Sequence, residues 1–213
     1  IAVGTESGVI SIINGSNGKN VSILSSSVAG GVKTADFSYD NKTLVVLGGN
    51  SRNQIMIFTT LNGEWADATL IYSGDSSSTT IDYLKCTDST AYNFVTIDEA
   101  QSIKWWAING RNLSSITITI PVPEGANATT VTSLISIPGG QFITGNALGE
   151  LILYKGSSDA SSIIGKHEGA IQVDDAGKSG NAIVPITACT TTTTSTFISA
   201  GGSDIKVWTY NTE

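Results

Sequence analysis

The chain of 213 residues is poor in histidine, cysteine, methionine and proline, and it has no apolar run near the roughly 18 residues that a membrane span needs. Each shortage excludes something. A lone His167 with Cys86 and Cys189 leaves almost no material for a transition-metal site and rules out a disulfide scaffold or a cysteine zinc cluster. Lys and Arg total 11 against 18 Asp and Glu, and the net charge of -7 disfavours phosphate backbones and anionic bilayers. Neither nucleic acid nor a membrane is therefore an expected partner. Charged residues are only 14% of the chain and hydrophobic ones 40%, which is too apolar for disorder and enough for one sizeable core. The sequence starts at Ile1, so its lack of a leader-like segment says nothing about targeting.

What is abundant is Ser and Thr, 53 residues together, with β-branched residues dominating the apolar set. No window repeats apolar residues at helical spacing for more than a turn or two, and this composition suits pleated strands. Short apolar runs, among them Val9–Ile13, Thr43–Leu47, Ile103–Trp106, Leu151–Tyr154 and Ile205–Trp208, alternate with turn chemistry such as Gly15-Ser16-Asn17-Gly18, Gly48-Gly49-Asn50 and Pro138-Gly139-Gly140. The class is all-β.

One element recurs five times: a strand ending in a small residue, a tight turn, then a strand ending in a large apolar one. The closing residues are Ile13, Phe58, Trp106, Tyr154 and Trp208, spaced by 45, 48, 48 and 54 positions. Opening strands are expected at Val32–Ser38, Ile81–Cys86, Val131–Ile137 and Val184–Thr190, and following strands at Val21–Leu24, Ala68–Tyr72, Ser115–Ile120 and Ser161–Ile164. Four strands per period is the arithmetic of a β-propeller blade, whose sheets are buried on both faces. The repeats fall at about 1–30, 31–78, 79–128, 129–167 and 168–213. The first lacks an opening strand and the last a following one, giving about 18 strands, whereas a seven-bladed ring needs roughly 300 residues. The expectation is a partial propeller with incomplete first and last blades.

The last repeat resembles the WD-repeat family: Gly165-Lys166-His167 stands for the family's Gly-His pair, followed by Thr196–Ser199, Ala200-Gly201-Gly202-Ser203-Asp204 and Ile205–Trp208. The resemblance implies a hydrogen-bonded set of His167, Ser199, Asp204 and Trp208 within a blade, and blade-core aromatics at Phe58, Trp106, Tyr154 and Trp208. The other repeats lack the histidine, three of the four replace the tryptophan by Ile13, Phe58 or Tyr154, and Thr209 stands where Asp usually follows Trp. Within that family, Asp36–Leu44, Asn93–Thr96 with Ile103–Trp106, Phe142–Gly145 with Gly149–Gly156, and Gly165–Ile171 look like the echinoderm microtubule-associated-protein-like and the cilia- and flagella-associated WD-repeat proteins. That implies a scaffold in a large complex, with axonemal dynein or microtubule-associated subunits as partners, in the cytoplasm, cytoskeleton and cilium or flagellum axoneme.

Chemistry has little to stand on. His167 has no motif around a Ser or Cys, so a structural hydrogen bond outweighs nucleophile activation. Gly177-Lys178-Ser179 lacks the phosphate loop's earlier glycine, where Gln172 stands, and Asp174-Asp175 lacks the spacing of a calcium loop. No catalytic residue, cofactor or metal is expected. Consecutive Trp105 and Trp106 point to opposite faces of a strand and read as packing. Trp65, in the polar stretch Asn62–Asp67, is the better contact residue, together with Asp174, Asp175 and Lys178 in the insertion Gly169–Asn181. Cys86 and Cys189 lie a whole blade apart and should be separate thiols. Five sequons, at Asn14, Asn20, Asn41, Asn112 and Asn127, barely exceed the three or four that chance predicts. They leave a secreted or cell-surface propeller binding carbohydrate or a surface ligand as the alternative reading.

Overall fold

In a computed structural model of the chain, the described residues are 1–24, 28–76, 79–87, 92–120, 130–137, 139–158, 161–167, 171–173, 179–181, 191–193, 196–201 and 204–209. Asp174, Asp175, Lys178, Cys189 and the strand expected at Val184–Thr190 lie outside them, and of Asp204 only the backbone is described. Among the described residues there are twenty strands and one 3-10 turn, and no helix is long and apolar enough to cross a membrane. The chain divides into two compact units, Ile1–Thr117 and Ile118–Glu213.

The first unit begins with a three-stranded sheet of β1 (Ala2–Gly4), β2 (Ile10–Ile13) and β3 (Asn20–Leu24). A four-stranded sheet follows, with β4 (Val32–Phe37), β5 (Thr43–Gly48), β6 (Gln54–Thr59) and β7 (Thr69–Asp75) in sequential order. The next also runs in sequence: β8 (Ile81–Cys86), β9 (Phe94–Asp98), β10 (Ile103–Asn109) and β11 (Asn112–Ile118). All the paired strands are antiparallel neighbours, as short tight turns require. The middle strands are dry and the last is wet: every residue of β5 and β9 is buried, whereas β7 and β11 are mostly exposed or half-buried.

Alternation along β5 and β6 explains how both faces of this sheet are used. Leu44, Val46, Met56 and Phe58 join Ile10, Ile12 and Leu24 in one core, while Val45, Leu47, Ile55 and Ile57 join Ile81, Leu84, Phe94 and Trp106 in another. Each fully buried side chain contributes about 1.5–3 kcal/mol, so a one-residue register slip, which exchanges the two faces, is strongly opposed. The registers also repeat an irregularity near the start of the opening strand, at Val32/Thr34, Ile81/Tyr83 and Val131/Ser133. Such bulges increase the local twist.

The second unit holds another sequential four-stranded sheet, β12 (Val131–Ile137), β13 (Gln141–Asn146), β14 (Glu150–Tyr154) and β15 (Ser161–Lys166). A separate hairpin of β16 (Ile171–Val173) and β17 (Ser179–Asn181) lies within the insertion Gly169–Asn181, where the sequence pattern predicts a loop. Last comes a three-stranded sheet of β18 (Thr191–Thr193), β19 (Thr196–Gly201) and β20 (Asp204–Thr209). The hairpin accounts for the difference between the expected eighteen strands and the twenty among the described residues. Ile135, Ile137, Ile143, Leu151 and Phe197 form the core of this unit, with Trp208 packed against it.

Candidate functional site

The tight turn between the second and third strands of the first four repeats carries one device. Thr5, Asn50, Asp98 and Asn146 each stand eight positions before a closing residue. Their side-chain oxygens accept the backbone N–H four residues on, from Val9 at 3.0 Å, Gln54 at 3.0 Å, Ser102 at 2.8 Å and Glu150 at 2.9 Å. Their carbonyls accept from Gly8, Asn53, Gln101 and Gly149, all of which have positive φ. The side-chain oxygen thus closes a turn that β-strand geometry leaves unsatisfied.

A second device sits on the paired middle strands. Leu44 faces Phe58, Phe94 faces Trp106, Phe142 faces Tyr154 and Phe197 faces Trp208 at one equivalent register position. The three Phe pairs are stacked, with centroids 5.8, 4.6 and 6.1 Å apart. Two residues beyond each Phe comes a hydroxyl: Thr96 accepts from the Trp106 indole at 2.7 Å, and Ser199 from the Trp208 indole at 2.6 Å. At the third such position Thr144 and Tyr154 are both buried, and neither hydroxyl closes a hydrogen bond of ordinary length. Burial pushes the Tyr154 phenol above the ordinary tyrosine value, against a smaller opposing influence from Thr144.

In the last repeat His167 completes the pair. Its Nε2 lies 2.7 Å from the Ser199 hydroxyl, and its backbone N–H donates to the Gly149 carbonyl at 2.7 Å. Since Trp208 already donates to Ser199, the arrangement is complete when Ser199 donates to Nε2. Two glycines make room for these rings. A β-carbon on Gly165 would overlap the Trp208 ring, and one on Gly201 would come within 2.8 Å of the imidazole. His167, Ser199 and Trp208 are therefore brought together. Asp204 stands on β20 opposite Gly201, after the turn, while in the other repeats the turn oxygen comes from the residue that opens it.

Polar bridges also link the opening strands β4 and β8. The Asp36 carboxylate accepts from Lys85 at 2.9 Å and from the Cys86 N–H at 2.8 Å, and the Cys86 thiol reaches the Asp36 carbonyl at 3.3 Å. Lys33 donates to the Ile81 carbonyl and pairs with Asp82 at 3.4 Å. Cys86 is a free, buried thiol. Its burial pushes the thiol well above its ordinary value, the Asp36 charge adds to that, and Lys85 opposes it.

Trp65, expected as a contact residue from its polar neighbours, is largely buried. It is 8% exposed and packs edge-on against Phe37 at 5.1 Å, with its indole donating to the Asn41 carbonyl at 3.1 Å. The ring forms part of the wall of a cavity of about 740 Å³. Phe58, Trp106 and Tyr154 are buried and Trp208 is half-buried. The turn oxygens, the stacked phenylalanines and the Asp36 bridge escaped sequence reasoning. The first two leave a signal, a Thr, Asn or Asp eight positions ahead of the first four closing residues, with Ala200 at that place before Trp208, and a Phe two positions ahead of each hydroxyl.

No protein-family model matches the chain, and no curated protein does. Solved structures do resemble it. The β-propeller domain of Myceliophteria thermophila Cps50 (Swd1) gives a TM-score of 0.67 at 9% identity, covering 100% of this chain and 63% of that one. U3-55K gives 0.62 at 13% identity, covering 98% and 57%, and the computationally designed Ika8 protein 0.57 at 16% identity, covering 98% and 55%. At such identities the likeness speaks to fold. With the sequential four-stranded sheets it makes the chain an all-β protein of the β-propeller fold, spanning under two thirds of the length of these structures.

Proposed function

We propose that the chain is a non-enzymatic scaffold whose blades carry loops that hold other proteins in a large complex. One observation carries this reading. The pair that a hydrolase would use as nucleophile and base, Ser199 and His167, lies at hydrogen-bond distance but is 0% and 3% exposed, with the serine also holding the Trp208 indole. Such a pair stabilises a blade and offers a substrate no approach. WD-repeat-type propellers as a class present surfaces on a stable frame, which supports the same reading.

The finer reading is a structural component of a ciliary, axonemal or microtubule-associated assembly, with axonemal dynein or microtubule-associated subunits as partners. It is supported by the resemblance of Asp36–Leu44, Asn93–Thr96 and Phe142–Gly145 to that subfamily. Binding runs through neighbouring proteins and not through the acidic tails of tubulin, because a net charge of -7 is repelled by a polyanion. Isolation of the tagged protein from its own cells under native conditions tests both levels. Stable protein partners are expected, and in ciliated cells recovery with the axoneme. A protein that migrates alone, or that turns over a small substrate, overturns the scaffold; recovery in a complex outside the cilium overturns only the finer reading. Glycans on Asn20, which is exposed, or on Asn127, outside the described residues, would replace the scaffold by a secreted or cell-surface propeller binding carbohydrate or a surface ligand.

A further inference from the structure

Two neighbouring concavities in the first unit share one loop, residues 60–68 between β6 and β7. The larger, of about 740 Å³, is lined by Ile12, Phe37 and Trp65, with Asn41 and Glu64 among its polar residues. The smaller, of about 330 Å³, is lined by Leu61, Glu64, Asp67 and three threonines. Glu64 belongs to both. The loop is held in place at three points: Thr60 N–H to the Lys42 carbonyl at 2.9 Å, the Trp65 indole to the Asn41 carbonyl, and the Ser22 hydroxyl to the Trp65 carbonyl at 2.8 Å. The site is thus pre-organised, which lowers the entropy lost on binding.

Its chemistry is lopsided. Among the described residues no Lys, Arg or His side chain lines either cavity, and Glu64 and Asp67, both exposed, enter no ion pair. In the facing turn Asp40 and Lys42 offset one another, and the Ile1 ammonium at the larger cavity is turned to the Ile13 carbonyl at 2.8 Å, so the balance at the smaller cavity is left to these two carboxylates. Leu61, at the tip, is 93% exposed. A cavity of this size accepts a bulky side chain, and two open carboxylates beside it select a cation.

We propose that this loop docks a segment of a partner protein in which a bulky apolar residue adjoins a Lys or Arg. The apolar side chain enters the larger cavity against Phe37 and Trp65, and the cationic one sits between Glu64 and Asp67 over the smaller. The proposal rests on the scaffold reading and names its surface and the chemistry of its partner. A second copy of this acidic chain, a nucleic acid and an anionic bilayer are all disfavoured by the same charge.

The test uses labelled hexapeptides that pair Trp, Phe or Leu with Lys or Arg, and a matched set with Glu in place of the cation, titrated into the intact protein by fluorescence polarisation. The cationic set should bind in a salt-sensitive way and the acidic set should not. Glu64→Gln with Asp67→Asn, both surface changes, should weaken binding about tenfold while leaving the unfolding midpoint in place. The proposal is overturned if no peptide binds, as would follow if another segment of the same protein filled the cavity, if both sets bind alike, or if the double variant binds as well as the parent. A double variant that retains every native partner also overturns it while leaving the scaffold standing. Loss of all partners from the parent protein is the separate result that removes the scaffold.

Discussion

The indole N–H of Trp106 donates to the Thr96 hydroxyl at 2.7 Å across neighbouring middle strands, with both residues buried. Removing one partner leaves the other unsatisfied in an apolar interior, which costs about 1–3 kcal/mol. Thr96→Val keeps the side-chain shape and should lose about that much in urea unfolding. Trp106→Phe should lose a similar amount, partly through lost volume. The double variant should lose less than the two single losses combined, because the second sheet already runs an apolar version of the same position with Val46 and Phe58. Strictly additive losses would show that the hydrogen bond carries no coupling energy.

Gly165 lies against the Trp208 ring, and an added β-carbon would overlap it. Gly165→Ala should therefore destabilise the second unit by about 1–3 kcal/mol through overpacking and change the indole emission of Trp208. Gly18→Ala provides the contrast. That position has positive φ but open space around it, so only the roughly 1 kcal/mol of left-handed strain applies. Equal effects at the two sites would count against the packing role of Gly165.

The periodic strands were legible because strand alternation and turn chemistry are local: Phe58, Trp106, Tyr154 and Trp208 occupy one register position, as their spacing suggested. The turn oxygens were not, because Thr5, Asn50, Asp98 and Asn146 share only an oxygen at a fixed offset and no residue type. Asp204 matches the family's residue type but stands on the strand after the turn. The burial of Trp65 is not legible in the sequence because it depends on Ser22 and Asn41, distant in sequence and tied to it by hydrogen bonds that no local pattern announces. The hairpin in the insertion is not legible in the sequence because three-residue strands such as β16 and β17 are too short to show alternation.

Alkali should weaken the fold through two buried acids. Burial raises the Cys86 thiol and the Tyr154 phenol above their ordinary values, so between the unfolded and folded values the folded state binds more protons. Stability is then fully present below the unfolded value and is lost as pH rises, from about pH 8.5 for the thiol and about pH 10 for the phenol. Urea midpoints between pH 7 and 11 should fall, and Cys86→Ala should flatten the early part and Tyr154→Phe the later part. Parallel curves for parent and variants would remove both groups from the account. Alkylation in denaturant without reductant should count two thiols, Cys86 and Cys189; a count of zero would mean that they are joined.

Asp36 joins two sheets by unequal bonds, and the inequality can be measured. Its Lys85 partner is 38% exposed, so that ion pair is screened and contributes only about 0–1 kcal/mol. The other oxygen accepts the backbone N–H of Cys86, a residue buried in the second core of the first unit, where an unmade hydrogen bond costs about 1–3 kcal/mol. Lys85→Met should thus leave the unfolding midpoint almost unchanged and remove what little salt dependence the pair gives. Asp36→Ala should lower the midpoint clearly at any ionic strength, since it orphans the Cys86 N–H whether or not Lys85 is present. Asp36→Asn, which keeps an acceptor oxygen for that N–H while discarding the charge, should fall between them and nearer to Lys85→Met. A ranking in which Lys85→Met is as damaging as Asp36→Ala would mean that the charge, and not the backbone hydrogen bond, ties β4 to β8.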